Sequence, residues 1–331
     1  MTALLSLSST GIADAAQCLK KYEYHFVDRL IARPEKIGVP MRRGIWIHRC
    51  LQDYHTGRDW TAALAALVEQ AIGWGLDREA MSDIGTDVRL LMTSYVEHYG
   101  SQPLEVLAAE QEYRWTFGEI ELRATVDTVV KLPQGGVAIV EHKSTGHLPP
   151  ASWRAVDPQT ALQMALILQS GMIVDGILFN YLETTPKVPR VTGQGKIHQG
   201  SGVTTSAHFN VAAVAALGGN DQPPTGLREH LEGEQARLVD NARFFQRFYV
   251  QREPALLRET MADIAGVADA VVRAQHRKHY PRNFSVFQCP QSCPYFILCT
   301  TEYVKGGRSD VLRETEYMRD DGYREGNVDV G

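Results

Sequence analysis

The sequence contains no apolar run approaching the roughly 20 residues needed to cross a bilayer. Its opening stretch, MTALLSLSSTGIADAAQC, has no basic segment and is interrupted by Asp14. Neither a membrane span nor a secretory signal is expected, which leaves the cytoplasm as the default compartment. An excess of positive charge is also missing: 34 Lys and Arg stand against 39 Asp and Glu, a formal net charge of −5. A polyanion partner would therefore need a local basic groove rather than a generally basic surface. No G-x-x-x-x-G-K-[ST] stretch occurs, so the chain encodes no nucleotide-driven motor of that type. Cysteine is scarce, at five in 331 residues. Disulfides are rare in the cytoplasm, so a stapled framework is not expected.

What is present is an ordinary globular composition, 44% hydrophobic and 22% charged, on a chain sized for one large domain or two smaller ones. The few cysteines are unevenly placed. Cys289, Cys293 and Cys299 fall within CPQSCPYFILC, and Cys18 lies about 270 residues earlier. Clustered thiols in a reducing compartment point to a metal or a redox role. The C-x₃-C-x₅-C spacing is not the paired C-x₂-C of a zinc ribbon. Pro290 and Pro294 each follow a cysteine and favour a loop on which thiolates can converge. The plain alternative is a set of buried, reduced cysteines, which is also the simplest reading of the fifth, Cys50.

Pattern divides the chain into regions. Residues 1–100 read as helical, with a helix over 14–31, a break at RPEKIGVP, a second helix from Met41, and two or three more over 60–100. Residues 104–183 change character. Strands are expected at about 104–115, 119–131 and 136–143, then a helix on DPQTALQMALILQSG and a strand on GILFNYLET. Hairpins, a crossover helix and a further strand fit an α/β fold with a mixed sheet flanked by helices. Residues 184–206, rich in Gly, Pro and Thr, read as a long mobile loop near substrate. Residues 207–305 read as a helical and cysteine-bearing region, helical from about 225 to 280. A polar tail is expected over 306–331. Residues 1–305 together are expected to form one domain.

The chemistry concentrates on Asp127 and on Glu141-His142-Lys143. The period of two puts Glu141 and Lys143 on one face of a strand, and a hairpin brings Asp127 alongside. Two carboxylates and a lysine suit a hard divalent cation such as Mg²⁺, which takes oxygen ligands. The lysine can orient a water or meet developing negative charge. A surface carboxylate pair beside a solvated lysine is the bland alternative. The stretch VVRAQHRKHYPRNF adds Arg273, Arg277, Lys278 and Arg282 as a candidate nucleic-acid contact, set against a merely solvated helix face.

The pattern ATVDTVV…GGVAIVEHKST resembles the core of the PD-(D/E)XK nucleases, in particular the RecB-like exonuclease branch. The resemblance implies a restriction-endonuclease-like fold and a Mg²⁺- or Mn²⁺-dependent deoxyribonuclease. Asp127, Glu141 and Lys143 would be catalytic, and Gln159 would support Lys143 or the scissile phosphate. His48, in the setting Gly44-Ile-Trp-Ile-His48, would be a further metal ligand, as would the backbone carbonyl of His142. Glu110, close to Glu112, is the candidate acid of the first core strand. A departure stands at Gln163, where the branch carries tyrosine. One cysteine before the core and three after it also resemble the AddB-type and CRISPR-associated iron–sulfur nucleases. That likeness implies a 4Fe–4S cluster on Cys18, Cys289, Cys293 and Cys299, tying the N- and C-terminal segments together.

The expected substrate is single-stranded DNA or a duplex end, processed in recombination, repair or phage DNA metabolism within a bacterial or phage-infected cell. A recombination or helicase partner would act in trans. Trp115, Trp153 and Tyr181 are candidates for base stacking, with core packing the simpler role for at least two. Two rival readings are a DNA-binding recombination partner that keeps the fold without the activity, and a zinc-stabilised interaction module.

Overall fold

In the computed structural model, which describes residues 5–100, 104–218, 226–286, 289–305 and 309–320, the chain opens on β1 (Leu5–Ser8) and α1 (Ser9–Gln17). It breaks at Cys18, where φ is −166° and ψ 119°, then continues through α2 (Leu19–Tyr22) and a π-helical turn, Glu23–Val27, into β2 (Leu30–Ala32). The single helix expected over 14–31 is therefore three short helical pieces followed by a strand. Helices α3 (Val39–His55), α4 (Trp60–Gly73) and α5 (Arg78–Tyr99) follow. Asp59 and Asp77 cap the last two by accepting N–H bonds from Thr61, Ala62 and Ala80, donors that a helix start cannot satisfy by itself.

The β-rich centre consists of β3 (Glu105–Phe117), β4 (Ile120–Lys131) and β5 (Val137–Thr145). Helices α6 (Ala151–Val156) and α7 (Pro158–Gln169) cross to β6 (Gly176–Glu183). Asp157 caps α7 at the Gln159 amide, with Pro158 in the first turn. Helices α8 (Ser206–Leu217), α9 (Leu227–Leu238) and α10 (Asn241–Phe244) lead to β7 (Phe245–Gln251) and the long α11 (Pro254–Arg277). β7 interrupts the region expected to be continuously helical. Its aromatic sequence FQRFYVQ pairs antiparallel with β6 instead. Of the C-terminal cysteines, Cys289 opens α12 (Cys289–Ser292), Cys293 follows it, and Cys299 lies within α13 (Phe296–Lys305). The presumed polar tail also carries structure, α14 (Ser309–Glu316) and β8 (Tyr317–Arg319), and β8 pairs antiparallel with β2. The remainder of that tail, 321–331, lies outside the described residues.

The main sheet runs β1-β4-β5-β6-β7, with β3 also paired to β4. β3 occupies one edge of β4 along nearly its whole length. The other edge is shared: β1 pairs in parallel with residues 120–123, and β5 pairs antiparallel with residues 128–131. Residues 124–127 are left between them, so the sheet forks there. One apolar cluster joins the sheet to α1, α7 and α11 and includes Ile12, Leu122, Ile139, Leu166, Phe179 and Val271. A second joins it to α3, α4 and α5 and includes Trp46, Leu51, Leu67, Tyr95, Leu182 and Phe245. The 184–206 segment is not a free loop. Val191 bridges Ile197, and Ile197 packs with Phe209 and Leu231.

Candidate active site

The fork is where the candidate residues meet. Asp127 ends the stretch of β4 that has no strand on its β1–β5 edge, and its Oδ2 accepts the His142 N–H at 3.1 Å, standing in for a missing ladder bond. β5 carries Glu141 and Lys143 on one face, with Lys143 Nζ 2.6 Å from Glu141 Oε1. Helix α7 covers them. Gln159 accepts from Lys143 Nζ at 2.9 Å and donates to Glu141 Oε1 at 2.9 Å, so one amide binds both members of the pair. One turn on, Gln163 Nε2 reaches Glu141 Oε2 at 3.1 Å and the Thr125 carbonyl at 3.2 Å, inside the fork. The i,i+4 spacing of Gln159 and Gln163 accounts for their acting on one carboxylate. Gln163 thus has a definite place here although tyrosine was expected.

Two further residues approach Asp127. His48, on α3, places Nδ1 3.8 Å from Asp127 Oδ2. Glu110 lies between the register pairs Ala109–Thr128 and Gln111–Val126, opposite Asp127, with a φ of 50°. A non-glycine residue in that region is uncommon and costs roughly 1–3 kcal/mol, a strain typical of functional sites. Glu112, the neighbouring alternative, instead pairs with Arg114 and Arg123.

The electrostatics are those of crowded, dehydrated carboxylates. Burial pushes Asp127 up to about 6, opposed by the His142 amide and reinforced by Glu110. Burial likewise pushes Glu141 up to about 7, with Asp127 adding and Lys143 subtracting. Glu110 is raised by burial, with Arg49 opposing. Burial pulls Lys143 down, but the neighbouring Glu141 outweighs it, so the ammonium is held above its ordinary value. Desolvation keeps His48 below its ordinary value and hence neutral, the form that ligates metals. Three carboxylates and a neutral imidazole against one lysine are a donor set that fits a divalent cation. Among the described residues, no group of three His, Cys, Asp or Glu is arranged so as to hold a metal ion.

A polar network that the sequence did not reveal lies behind β5. The His142 side chain points away from the carboxylates, and its Nδ1 accepts from Asn180 Nδ2 at 2.8 Å. Asn180 and Arg247 both donate to the Tyr95 hydroxyl. His55 stacks on the His142 ring at 5.1 Å. Arg252, just beyond β7, is also buried and binds the carbonyls of Ala155 and Asp157 and the Thr160 hydroxyl, clamping the corner that sets α7. Asn180 alternates correctly along β6, but neither arginine carried a local signal, because β7 itself was not anticipated.

Cys18 and the three C-terminal cysteines come together at a cavity whose lining includes none of the fork residues. Cys18, Cys289, Cys293 and Cys299 line one cavity with Lys20, Lys21 and Arg282. The amides of Asn283 and Ser285 point at the sulfurs of Cys18 and Cys289, each at 3.3 Å. Two backbone amides and the flanking cations Lys20, Lys21 and Arg282 thus surround the four thiols. Beneath it, Tyr24, Leu30, Tyr295, Leu298 and Tyr317 form a small core. Cys50 is elsewhere, fully buried, with burial pushing its thiol up to about 12.

The four basic candidates do not share one environment. Arg273, Arg277 and Lys278 are exposed near the end of α11, whereas Arg282 stacks over Tyr303 and lies near Glu302 in the cysteine lobe. Of the aromatic candidates, Tyr181 is buried, while Trp115 and Trp153 are exposed, contrary to the core role expected for at least two. No helix among the described residues is long and apolar enough to cross a membrane.

A mixed α/β sheet whose fork presents Asp127 and Glu-x-Lys is the arrangement of a restriction-endonuclease-like nuclease fold. The family model for the PD-(D/E)XK nuclease superfamily matches residues 6–300, and the chain belongs to that superfamily. None of the curated proteins compared with it matches.

Proposed function

We propose that the protein is a metal-dependent DNA exonuclease that hydrolyses phosphodiester bonds at the fork of β4 and β5. The observation that carries this reading is the hydrogen-bonded set Glu141, Lys143 and Gln159, placed beside Asp127. Asp127, Glu141 and His48 would hold Mg²⁺ or Mn²⁺, with Glu110 and the His142 carbonyl at its edge. Bound there, the ion supplies Lewis-acid neutralisation of phosphate oxygens.

The chain's own residues do the positioning. Lys143, held protonated by Glu141, donates to the attacking water or to a non-bridging oxygen and does not act as a base. Gln159 fixes the Lys143 side chain, so its ammonium is oriented before substrate arrives. Gln163 holds the second oxygen of Glu141, which leaves that carboxylate one orientation. Trp153, exposed on α6, is available for stacking on a base.

The exonuclease assignment and the branch resemblance rest on the order of motifs along the chain. The same resemblance and the shared cavity support a 4Fe–4S cluster on Cys18, Cys289, Cys293 and Cys299. End-labelled single- and double-stranded DNA, incubated with Mg²⁺ or Mn²⁺, tests the activity. Wild type should shorten DNA from an end, and Lys143→Ala should not. Wild type that degrades no DNA with either metal would sink the reading. Iron and sulfide analysis of anaerobically purified protein tests the cluster, and stoichiometric zinc without iron refutes it.

A further inference from the structure

Helix α3 packs along β5, and three of its positions mark the seat. Gly44 passes so close to β5 that a Cβ there would come within 3.0 Å of the Ser144 hydroxyl. His48, one turn on, meets the His142 ring edge to face, with centroids 6.4 Å apart and planes at 87°. His55, two turns further, stacks on the same ring at 5.1 Å and 16°. Steps of four and seven keep Gly44, His48 and His55 on one helical stripe. The His142 imidazole is therefore the surface against which α3 is registered. Its backbone serves the same target as His48. The His142 N–H donates to Asp127 Oδ2, the oxygen that lies 3.8 Å from His48 Nδ1.

The rotation of the His142 ring is set from behind, where one pattern of hydrogen bonds satisfies the groups involved. Tyr95, Asn180 and His142 are all buried. The Tyr95 hydroxyl accepts from Asn180 Nδ2 at 3.0 Å and from a terminal nitrogen of Arg247 at 3.1 Å. Both lone pairs are then taken, so its proton goes to His55 Nε2, 3.1 Å away. The second Asn180 N–H goes to His142 Nδ1 at 2.8 Å, and Asn180 Oδ1 receives Arg247 Nε at 3.3 Å. His142 thus carries its proton on Nε2, and that nitrogen is buried without a partner. An orphaned buried donor is destabilising. An apolar ring would remove that cost, but it would lose the Asn180 bond and the fixed rotation with it.

We propose that Tyr95 and His55 are positioning residues for His48: through the His142 ring they set the direction of the His48 imidazole before an ion arrives. This role rests on the nuclease reading given above and identifies residues that govern its metal site without touching it. His48 has no anchor of its own. Its side chain is 40% exposed, and 3.8 Å to Asp127 is too long for a hydrogen bond. The imidazole owes its direction to the ring it abuts. Loss of the Tyr95 hydroxyl frees His55, and with it the stack that holds His142 against His48. Residues that orient a metal ligand typically change metal affinity about 10–100-fold when replaced.

The test is a Mn²⁺ titration of the full chain without DNA, following free Mn²⁺ by its EPR signal, with thermal melts in EDTA beside it. Tyr95→Phe and His55→Leu should each weaken Mn²⁺ binding about tenfold, and their end-labelled DNA cleavage should recover as Mn²⁺ is raised. His55 is only half-buried, so its replacement is not expected to unfold the chain. His55→Phe, which keeps a ring on His142, should regain part of the affinity that His55→Leu loses. Ile197→Val, in the separate core of α8 and α9, should lower Tm and leave Mn²⁺ affinity alone. In a His48→Ala background, Tyr95→Phe should add little further loss, because the ligand it orients is gone.

Wild-type Mn²⁺ affinity in both Tyr95→Phe and His55→Leu would overturn the positioning role, while cleavage by wild type would leave the nuclease reading standing. Independent, fully additive losses from Tyr95→Phe and His48→Ala would overturn it as well. The expected losses of Mn²⁺ affinity in a wild type that cleaves no DNA would do the reverse, supporting the positioning role and sinking the nuclease reading. Failure of wild type to bind Mn²⁺ overturns both.

Discussion

Glu141 should destabilise the metal-free protein at neutral pH, and Glu141→Gln tests this directly. The carboxyl is buried and its folded pKa is raised from 4.5 to about 7. A carboxyl whose folded pKa exceeds its unfolded one binds its proton more tightly when folded. Its stabilising contribution is therefore complete below pH about 4.5 and lost as the pH rises through about 7. The shift corresponds to about 3 kcal/mol at about 1.4 kcal/mol per pH unit. Asp127, raised from 3.8 to about 6, adds a loss of the same sign in a slightly lower window, and the two titrate together.

Glutamine keeps the shape of the protonated acid and can still receive from Lys143. In EDTA at pH 8, Glu141→Gln should be more stable than wild type by about 3 kcal/mol, or about 4 °C in Tm for a chain of this size. At pH 5 the gap should close. Saturating Mn²⁺ should close the gap at pH 8, because wild type gains about 3 kcal/mol at 100 times Kd while the variant has lost a ligand. Thermal melts at the two pH values, with EDTA and with Mn²⁺, read all three effects. A variant less stable than wild type in EDTA at pH 8, or a gap that persists at pH 5, refutes the account of the buried pair.

Lys143→Ala should lower metal-dependent hydrolysis by about 10²–10³-fold, the usual loss when one preorganised donor is removed, with the far-UV spectrum unchanged. Arg252→Met should lower kcat more than KM by loosening the corner that aligns Gln159, and Arg252→Lys should recover part of it; equal losses in KM would mean a general folding defect. Under the proposed cluster assignment, Cys289→Ser should lose the brown colour and lower Tm, whereas Cys50→Ala should keep the colour and cost about 1–2 kcal/mol from the buried space it leaves. Retention of iron by Cys289→Ser would remove that cysteine from the proposed cluster.

The strands around the candidate site were readable because their information is local. ATVDTVV and GGVAIVEHKST alternate, are joined by a Gly-rich turn, and lie within about 20 residues of each other. The helix carrying Gln159 announced itself through Asp157 and Pro158. The fork did not, because it depends on a pairing between Leu5–Ser8 and residues 120–123. A four-residue strand has too short a pattern to be told from a helix start. β7 was hidden for a related reason. FQRFYVQ lies between helical segments, and its strand conformation comes from β6 beside it. Arg252, Asn180 and Tyr95 serve the site only through tertiary contacts, so no spacing rule could have grouped them. Glu110 could be placed opposite Asp127 only once the register of β3 was known.

The pairing of β2 with β8, and of Cys18 with the last three cysteines, sets an order on the birth of the molecule. A ribosome extends a chain at roughly 5–20 residues per second. β1 must wait for β4, and β2 for β8, about 285 residues downstream. β2 therefore emerges long before its neighbour exists, and spends on the order of 15 s to 1 min without it. The forked sheet and the helices packed on it can assemble in that interval, since their segments are complete by Arg277. Closure of the cysteine lobe comes last. A nascent chain released early would carry the catalytic strands with their N-terminal strap unfastened.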